Sequence, residues 1–168
     1  TIKPFFALAG LAEGEITPDS AITCRGGVTL YGHTFRCWRR GGHGGVGLVR
    51  SLEVSCDSIY YQLGYRMGID RMARWLRRFG FGGPTGIGFG QELTGLVGTP
   101  EWAREVRGTP WYAGEAISVA IGQGPVLVTG MQLARAYAVL ANGGRLVTPH
   151  LVASADVPPP VDLGLNPH

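Results

Sequence analysis

Lys3 is the only lysine in a chain of 168 residues, and the other 14 of its 15 basic residues are arginines. Arginine stays charged in any protein setting, whereas a lysine amine can release its proton when burial or a neighbouring charge favours it. A solitary lysine among arginines marks a position that wants a proton acceptor; the plain alternative is a surface lysine near a chain end. A second group is Ser55-Cys56-Asp57, at the break between two helix-patterned stretches. Such a break presents side chains into a cleft, where a serine relays protons and a carboxylate accepts hydrogen bonds. The competing reading makes Asp57 a simple N-cap for the helix that follows. A third is Gly122-Gln123-Gly124, where two glycines permit close backbone approach or merely form a tight turn.

The cysteines raise a separate chemistry. Cys24, Cys37 and Cys56 are odd in number, so they cannot all pair within the chain. With His43, set in Gly-Gly-His-Gly-Gly, they space as C-x12-C-x5-H-x12-C. That is no standard finger pattern, yet three thiolates and an imidazole complete a closed tetrahedral structural zinc site. His33 is the reserve ligand, and Arg25, Arg36, Arg39 and Arg40 offset the negative charge of such a centre. The alternatives are a Cys24–Cys37 disulfide, suited to an oxidising compartment, or a buried apolar Cys56 with His43 turned to solvent. Because Cys56 lies between Ser55 and Asp57, a metal bond there pins the turn that carries both.

The elements that must position these groups follow from the apolar pattern. At 45% hydrophobic the chain is long enough for one ordinary core. Its charge of +3 is scattered rather than gathered into a basic patch, which argues against a nucleic-acid partner. No apolar run reaches the ~20 residues of a membrane span, and there is no signal-peptide pattern. The start at Thr and the Pro-rich residues 151–168, expected to be a surface tail or linker, read as the ends of a segment cut from something longer. Pro4 to Gly14 reads as a buried helix, and residues 22–45 as short strands and turns. Helical patterns follow over Val46–Ser55, Asp57–Gly68 and Ile69–Gly80. In the last of these Arg71, Arg74 and Arg78 form a solvated face. Thr99-Pro100 and Thr129 open two further helices, the second closed by Asn142-Gly143-Gly144.

Taken in order, the lysine at the head of a buried helix, Ser-x-Asp about 50 residues on, GQG, and T-x-x-Q-L-x-x-A-Y-x-x-L-A-N-G-G over 129–144 resemble the transpeptidase domain of penicillin-binding proteins. SLEVSCDSIYYQLGYRMGIDRMARWLRRFGFG, TPEW and PWYAGEAISVAIGQG resemble its elongation-type class B branch. The resemblance covers about residues 1–150. The family's three motifs are S-x-x-K, S-x-N or S-x-D, and K-[ST]-G. Thr1-Ile2-Lys3 supplies the last three positions of the first, so the nucleophilic serine is expected directly before Thr1. Ser and Lys at i and i+3 share a helix face, which puts the amine within reach of the hydroxyl. K-[ST]-G does not occur, and Gly130 replaces the proline that relatives commonly carry after the threonine.

The resemblance implies an α+β fold of the penicillin-binding protein and serine β-lactamase type, of which residues 1–150 supply mostly the helical lobe, with a β-rich insert at about 22–45. It implies a D,D-transpeptidase that cross-links peptidoglycan stem peptides through a serine acyl-enzyme and is a target of β-lactams. The enzyme works with membrane proteins of the elongation complex, at the extracytoplasmic face of the bacterial membrane. Lys3 is then the general base, Ser55 the proton relay and Asp57 the group that organises the cleft. No cofactor takes part in catalysis. Some elongation-type relatives hold zinc in this region through mixed carboxylate, His and Cys ligands, which bears on Cys24, Cys37, His43 and Cys56. Two other readings stand: a β-lactam sensor or β-lactamase-like hydrolase on the same scaffold, and a non-catalytic interaction domain. Lacking the serine and K-[ST]-G, the segment alone is expected to be inert.

Overall fold

A computed structural model describes residues 1–153 and 156–165; the end of the Pro-rich stretch, with residues 154 and 155, lies outside them. The chain forms two compact units, one from Thr1–Ala73 with Gly98–Pro125 and the other from Arg74–Val97 with residues 126–168.

The first unit opens with helix α1 (Lys3–Ala12), with Pro4 in its first turn, where a missing amide costs nothing. Phe5, Phe6 and Ala9 on this helix are wholly buried. Four short strands follow, β1 (Ala21–Cys24), β2 (Gly27–Leu30), β3 (His33–Arg36) and β4 (Gly44–Gly47); the last runs through Val46, where a helix was expected to open, because Val46 pairs with Ile22 of β1. Strands β2 and β3 form a hairpin whose two turn residues, Tyr31 and Gly32, both have positive φ (51° and 73°), the twist that suits a two-residue connection. Strands β1 and β4 pair antiparallel with Cys24 opposite Gly44, which brings the end of β1 beside His43. The amide of Cys37 then donates to the Gly26 carbonyl at 2.9 Å, drawing the residue after β3 to the same place.

Helix α2 (Leu48–Glu53) leads into a turn at Val54–Cys56, and α3 (Asp57–Arg78) begins there. Non-helical backbone at Gly68 (φ 66°, ψ 170°) divides α3 into the two stretches the sequence suggests. Thr99 caps α4 (Pro100–Trp102), accepting from the Trp102 amide at 3.3 Å. A wider π turn (Ala103–Arg107) follows, and then α5 (Ala113–Val119), a helix the sequence pattern did not suggest. Side chains are small where helices meet. A methyl group on Gly10 would lie 2.8 Å from Leu63, and one on Gly64 2.8 Å from the Ala120 methyl and 3.0 Å from the Ala116 carbonyl.

In the second unit Trp75, Leu76, Phe79 and Phe81 are buried. It holds β5 (Leu96–Val97) paired with β6 (Val126–Leu127), helix α6 (Gly130–Ala141), and β7 (Arg145–Leu146) paired with β8 (Val161–Asp162). Thr129 and Gln132 form a reciprocal capping box, and the wholly buried Gln132 amide also donates to the carbonyls of Gly83 and Thr94 at 2.7 and 2.8 Å. Strand β8 and the buried Leu163 fall in the stretch expected to be a linker. Arg74 and Arg78 are exposed, as a solvated face requires, with Arg78 stacked on Trp75 at 4.1 Å; Arg71 is half-buried and pairs with Glu15 at 2.6 Å. Among the described residues no helix is long and apolar enough to cross a membrane.

Candidate active site and thiol cluster

The start of α1 and the α2–α3 turn bring three of the sequence-predicted residues together. Lys3 Nζ donates to Ser55 Oγ at 2.9 Å, to the Ser55 carbonyl at 2.9 Å and to Asp57 Oδ1 at 2.7 Å. Three acceptors match the three N–H groups of an ammonium. The pair is enclosed, with side-chain exposures of 7% for Lys3 and 12% for Asp57. The face of Tyr60 lies 5.6 Å from the amine, and its hydroxyl is held 3.2 Å from Ser51 Oγ. Burial pushes the Tyr60 phenol up to about 12, so it stays neutral beside the amine.

The turn owes its shape to Ser55, which has φ 51°. A non-glycine residue reaches that region at a cost of roughly 1–2 kcal/mol, and here the conformation aims both its oxygens at one amine. The next residue turns the other way. Cys56 is wholly buried in a small cluster with Cys24, Cys37 and Val46. Asp57 is the first residue of α3 rather than a cap preceding it, and its carboxylate is engaged by Lys3 and by the Trp38 amide, at 3.0 Å from Oδ2. The N-cap reading of Asp57 is therefore corrected: a cationic amine is the stronger partner for a buried carboxylate.

The ligand atoms of Cys24, Cys37, His43 and Cys56 all lie within 4.8 Å of one another, and the three cysteines are free thiols. Gly42 makes the approach possible. Its φ is 77°, and a Cβ there would sit 2.1 Å from the Cys24 carbonyl. His43 Nδ1 lies 3.6 Å from Cys24 Sγ and 3.5 Å from Cys37 Sγ. Bonds of ~2.3 Å to sulfur and ~2.1 Å to nitrogen at the tetrahedral angle give an N···S edge of about 3.6 Å, so both His43 edges fit zinc. Ser58 Oγ reaches Cys24 Sγ at 3.1 Å, and the Asp57 amide donates to Cys37 Sγ at 3.4 Å. Negative charge is shared unevenly. Burial opposes ionisation of Cys24, but hydrogen bonds with Ser58, Gly26 and His43 outweigh it and bring the thiol down to about 6. Burial, with the neighbouring sulfurs, pushes Cys56 up to about 12. A metal ion would have to displace the remaining protons. His33 is not part of this set; it sits exposed on β3 with its ring edge on Phe35 at 5.2 Å.

Gly-Gln-Gly follows the end of α5, with Gly122 so close to Ile2 that a Cβ would be 2.9 Å from its side chain. Gln123 lines an open groove of about 640 Å³ with His33, Phe35, Arg36, Tyr61 and Ser118. A second hollow of about 330 Å³ is lined by Arg25, Arg36 and Arg40 beside Cys37.

The profile of the family described as penicillin binding protein transpeptidase domain matches residues 1–165. The chain belongs to this family. Within the penicillin-binding protein transpeptidases it is 41% identical over 158 residues to the peptidoglycan D,D-transpeptidase MrdA of Haemophilus influenzae, covering 93% of this chain and 24% of that protein. It is 44% identical over 154 residues to the MrdA of Acinetobacter baumannii, covering 90% and 23%. The chain thus spans about a quarter of the length of the curated relatives it matches. Among solved structures it superposes on Pseudomonas aeruginosa PBP2 in complex with WCK 5153 with a TM-score of 0.89 at 41% identity, covering 97% of this chain and 36% of that one. The complex of Helicobacter pylori PBP2 with MreC gives 0.88 at 30% identity, covering 96% and 30%. The expected α+β transpeptidase fold and the likeness to the elongation-type branch both hold.

Sequence reasoning missed two residues of this candidate site. Trp38 touches Asp57 and the turn before it, and Ser58 touches Cys24. The only local signal was adjacency, Trp38 following Cys37 and Ser58 following Asp57.

Proposed function

We propose that this chain serves in a peptidoglycan D,D-transpeptidase of the elongation type, within a longer protein in which a serine stands directly before Thr1. The observation that carries the reading is the enclosed amine of Lys3 with Ser55 Oγ at 2.9 Å and Asp57 Oδ1 at 2.7 Å. The only lysine of the chain stands at the head of α1, three residues after the position proposed for the serine, a spacing that lets the two side chains meet. To act as base, the amine first passes a proton to the Asp57 carboxylate, the one acceptor it touches that can keep it. The serine oxygen then attacks the carbonyl carbon of the D-Ala–D-Ala bond while its proton moves to Lys3 Nζ. The C–N bond breaks, the departing D-Ala amine takes a proton from Lys3 by way of Ser55 Oγ, and an acyl-serine remains. The amine of a second stem peptide attacks that ester, forms the new amide, and its proton returns to the serine oxygen. A β-lactam follows the first half, its ring amide opening onto the same serine. Asp57 holds the amine in place throughout, and without the serine and a K-[ST]-G segment the chain is inert.

Zinc belongs to the same reading, held by Cys24, Cys37, His43 and Cys56. When bound it supplies a structural tie and leaves the reaction to Lys3, Ser55 and Asp57. The N···S edges of 3.5 and 3.6 Å support it, and Arg25, Arg36 and Arg40 around the adjoining hollow offset its net negative charge. Membrane proteins of the elongation complex are its partners and the extracytoplasmic face its place, a reading supported by relatives such as the Helicobacter pylori PBP2 bound to MreC.

The test is acylation by labelled penicillin in the longer protein with serine before Thr1. Lys3→Arg keeps the charge and removes the proton acceptor, so acylation should fall by at least ~10³-fold. Acylation of the arginine variant at the wild-type rate would falsify the general-base role. Elemental analysis of the same preparation should find one zinc per chain, lost in His43→Ala; a metal-free protein with reactive thiols would end the zinc reading.

A further inference from the structure

We infer that Trp38 is a positioning residue that holds the Ser55–Asp57 turn in register with Lys3 and ties it to the thiol cluster. The inference rests on the transpeptidase reading only for its effect on acylation, and its structural part stands apart from it. Trp38 directly follows Cys37, and it makes four contacts on two sides. Its backbone amide donates to Asp57 Oδ2 at 3.0 Å. Its indole Nε1 donates to the carbonyls of Val54 and Ser55, each at 3.1 Å. The ring meets His43 edge-on, with centroids 5.1 Å apart.

Burial does not explain this placement, since Trp38 is 63% exposed. An indole that stays largely in water while its one N–H spans two carbonyls is held by the polar contact. Those carbonyls flank the strained point of the turn. Ser55 sits at φ 51°, and rotation of its peptide would relieve the strain and swing the carbonyl away. Two donors oppose that rotation, Lys3 Nζ at 2.9 Å and Trp38 Nε1 at 3.1 Å, and both act on the same Ser55 oxygen. Losing the indole donor leaves Lys3 alone to hold the carbonyl, and Ser55 Oγ, one residue's rotation away, drifts from the amine. Through its amide Trp38 also fixes the second oxygen of Asp57, so the carboxylate cannot turn from Lys3. A residue with the same segment bonded to Cys37 and packed on His43 therefore converts a change in the cluster into a change in the turn.

Three variants test this: Trp38→Phe keeps the ring and loses the indole donor, Trp38→His retains a ring N–H, and Trp38→Leu loses ring and donor. In the 168-residue chain, amide exchange by NMR at Cys56 and Asp57 should quicken roughly tenfold in Trp38→Phe, the loss of one hydrogen bond to a strained turn. Metal content should stay as in wild type, and Trp38→His should recover part of the protection. In wild type, removal of bound metal by a chelator should raise exchange of the Trp38 indole N–H. In the longer, serine-bearing protein, the acylation step should slow roughly tenfold in Trp38→Phe with the penicillin dissociation constant unchanged. Unchanged exchange at Cys56 and Asp57 in both Trp38→Phe and Trp38→Leu overturns the inference. So does an acylation loss that Trp38→Phe and Trp38→His share equally. If the wild-type protein is not acylated at all, the transpeptidase reading fails while the exchange data still decide the role of Trp38.

Discussion

Replacing Asp57 by asparagine separates two accounts of its carboxylate. As a helix cap, asparagine matches aspartate, and stability would barely change. The structure gives the carboxylate a different duty, with Lys3 Nζ on Oδ1 at 2.7 Å and the Trp38 amide on Oδ2 at 3.0 Å. Asparagine offers one oxygen to these two donors, so one of them faces an NH2 group instead. Breaking a buried ion pair from one side costs about 3–5 kcal/mol. Here both Ser55 oxygens remain on the amine and asparagine keeps one acceptor, which brings the expected loss to about 2–3 kcal/mol. For a chain of this size, that lowers the Tm by roughly 4–12 °C. Unfolding by heat and urea, followed by circular dichroism, measures it in wild type, Lys3→Met, Asp57→Asn and the double variant. Because the double variant removes both charges, it should be more stable than the sum of the single losses predicts, by about 1.5 kcal/mol or more. A Tm for Asp57→Asn within about 1 °C of wild type, with additive single effects, would refute the ion-pair account.

Gly42→Ala should be worse than its size suggests, because the new Cβ meets the Cys24 carbonyl at 2.1 Å on backbone with φ 77°. We expect a loss of about 3 kcal/mol or more and fast labelling of the three cysteines by a thiol reagent; slow labelling would contradict the placement of His43 beside them. Arg107 pairs with Glu115 by two hydrogen bonds and holds its carboxyl below the usual range. A depressed folded pKa gives stability that is full above the unfolded carboxylate value, ~4.3, and is lost as pH falls through the folded value. Wild type should therefore exceed Glu115→Gln by ~1–2 kcal/mol at pH 7, with the gap closing in acid; a gap constant from pH 7 to pH 3 would remove the ion pair as its cause.

The parts legible in the sequence were those encoded locally. A solitary lysine, a serine and carboxylate at a helix break, and three cysteines with a glycine-flanked histidine each stand out by residue type, and the two groups do gather in space. The strands within residues 22–45 and the Thr99 and Thr129 caps were equally readable, since turn glycines and cap hydroxyls act within four residues. What escaped depends on distant partners. Helix α5 is short and opens on Tyr112 rather than a usual cap residue, its first turn tied instead to Arg107 through Glu115. Asp57 looks like a cap until Lys3 arrives from 54 residues away. Trp38 carries no motif, because its role arises only when β3 ends beside the α2–α3 turn. His33, equal to His43 by composition, is excluded by pairing alone, since its register opposite Leu30 leaves it on the hairpin.

The turn at Ser55-Cys56-Asp57 also bears on how this protein can vary. Three consecutive residues face two neighbourhoods, the outer two meeting an amine and the middle one three other ligand-type side chains. The middle letter of this Ser-x-Asp turn is answerable to positions 24, 37 and 43. A change of donor type at one of the four alters the charge the others must balance, so these positions should be exchanged as a group among relatives. Ser55 and Asp57 should stay fixed while that happens. A drifting residue 56 in an alignment would then report the history of the thiol cluster rather than that of the reaction.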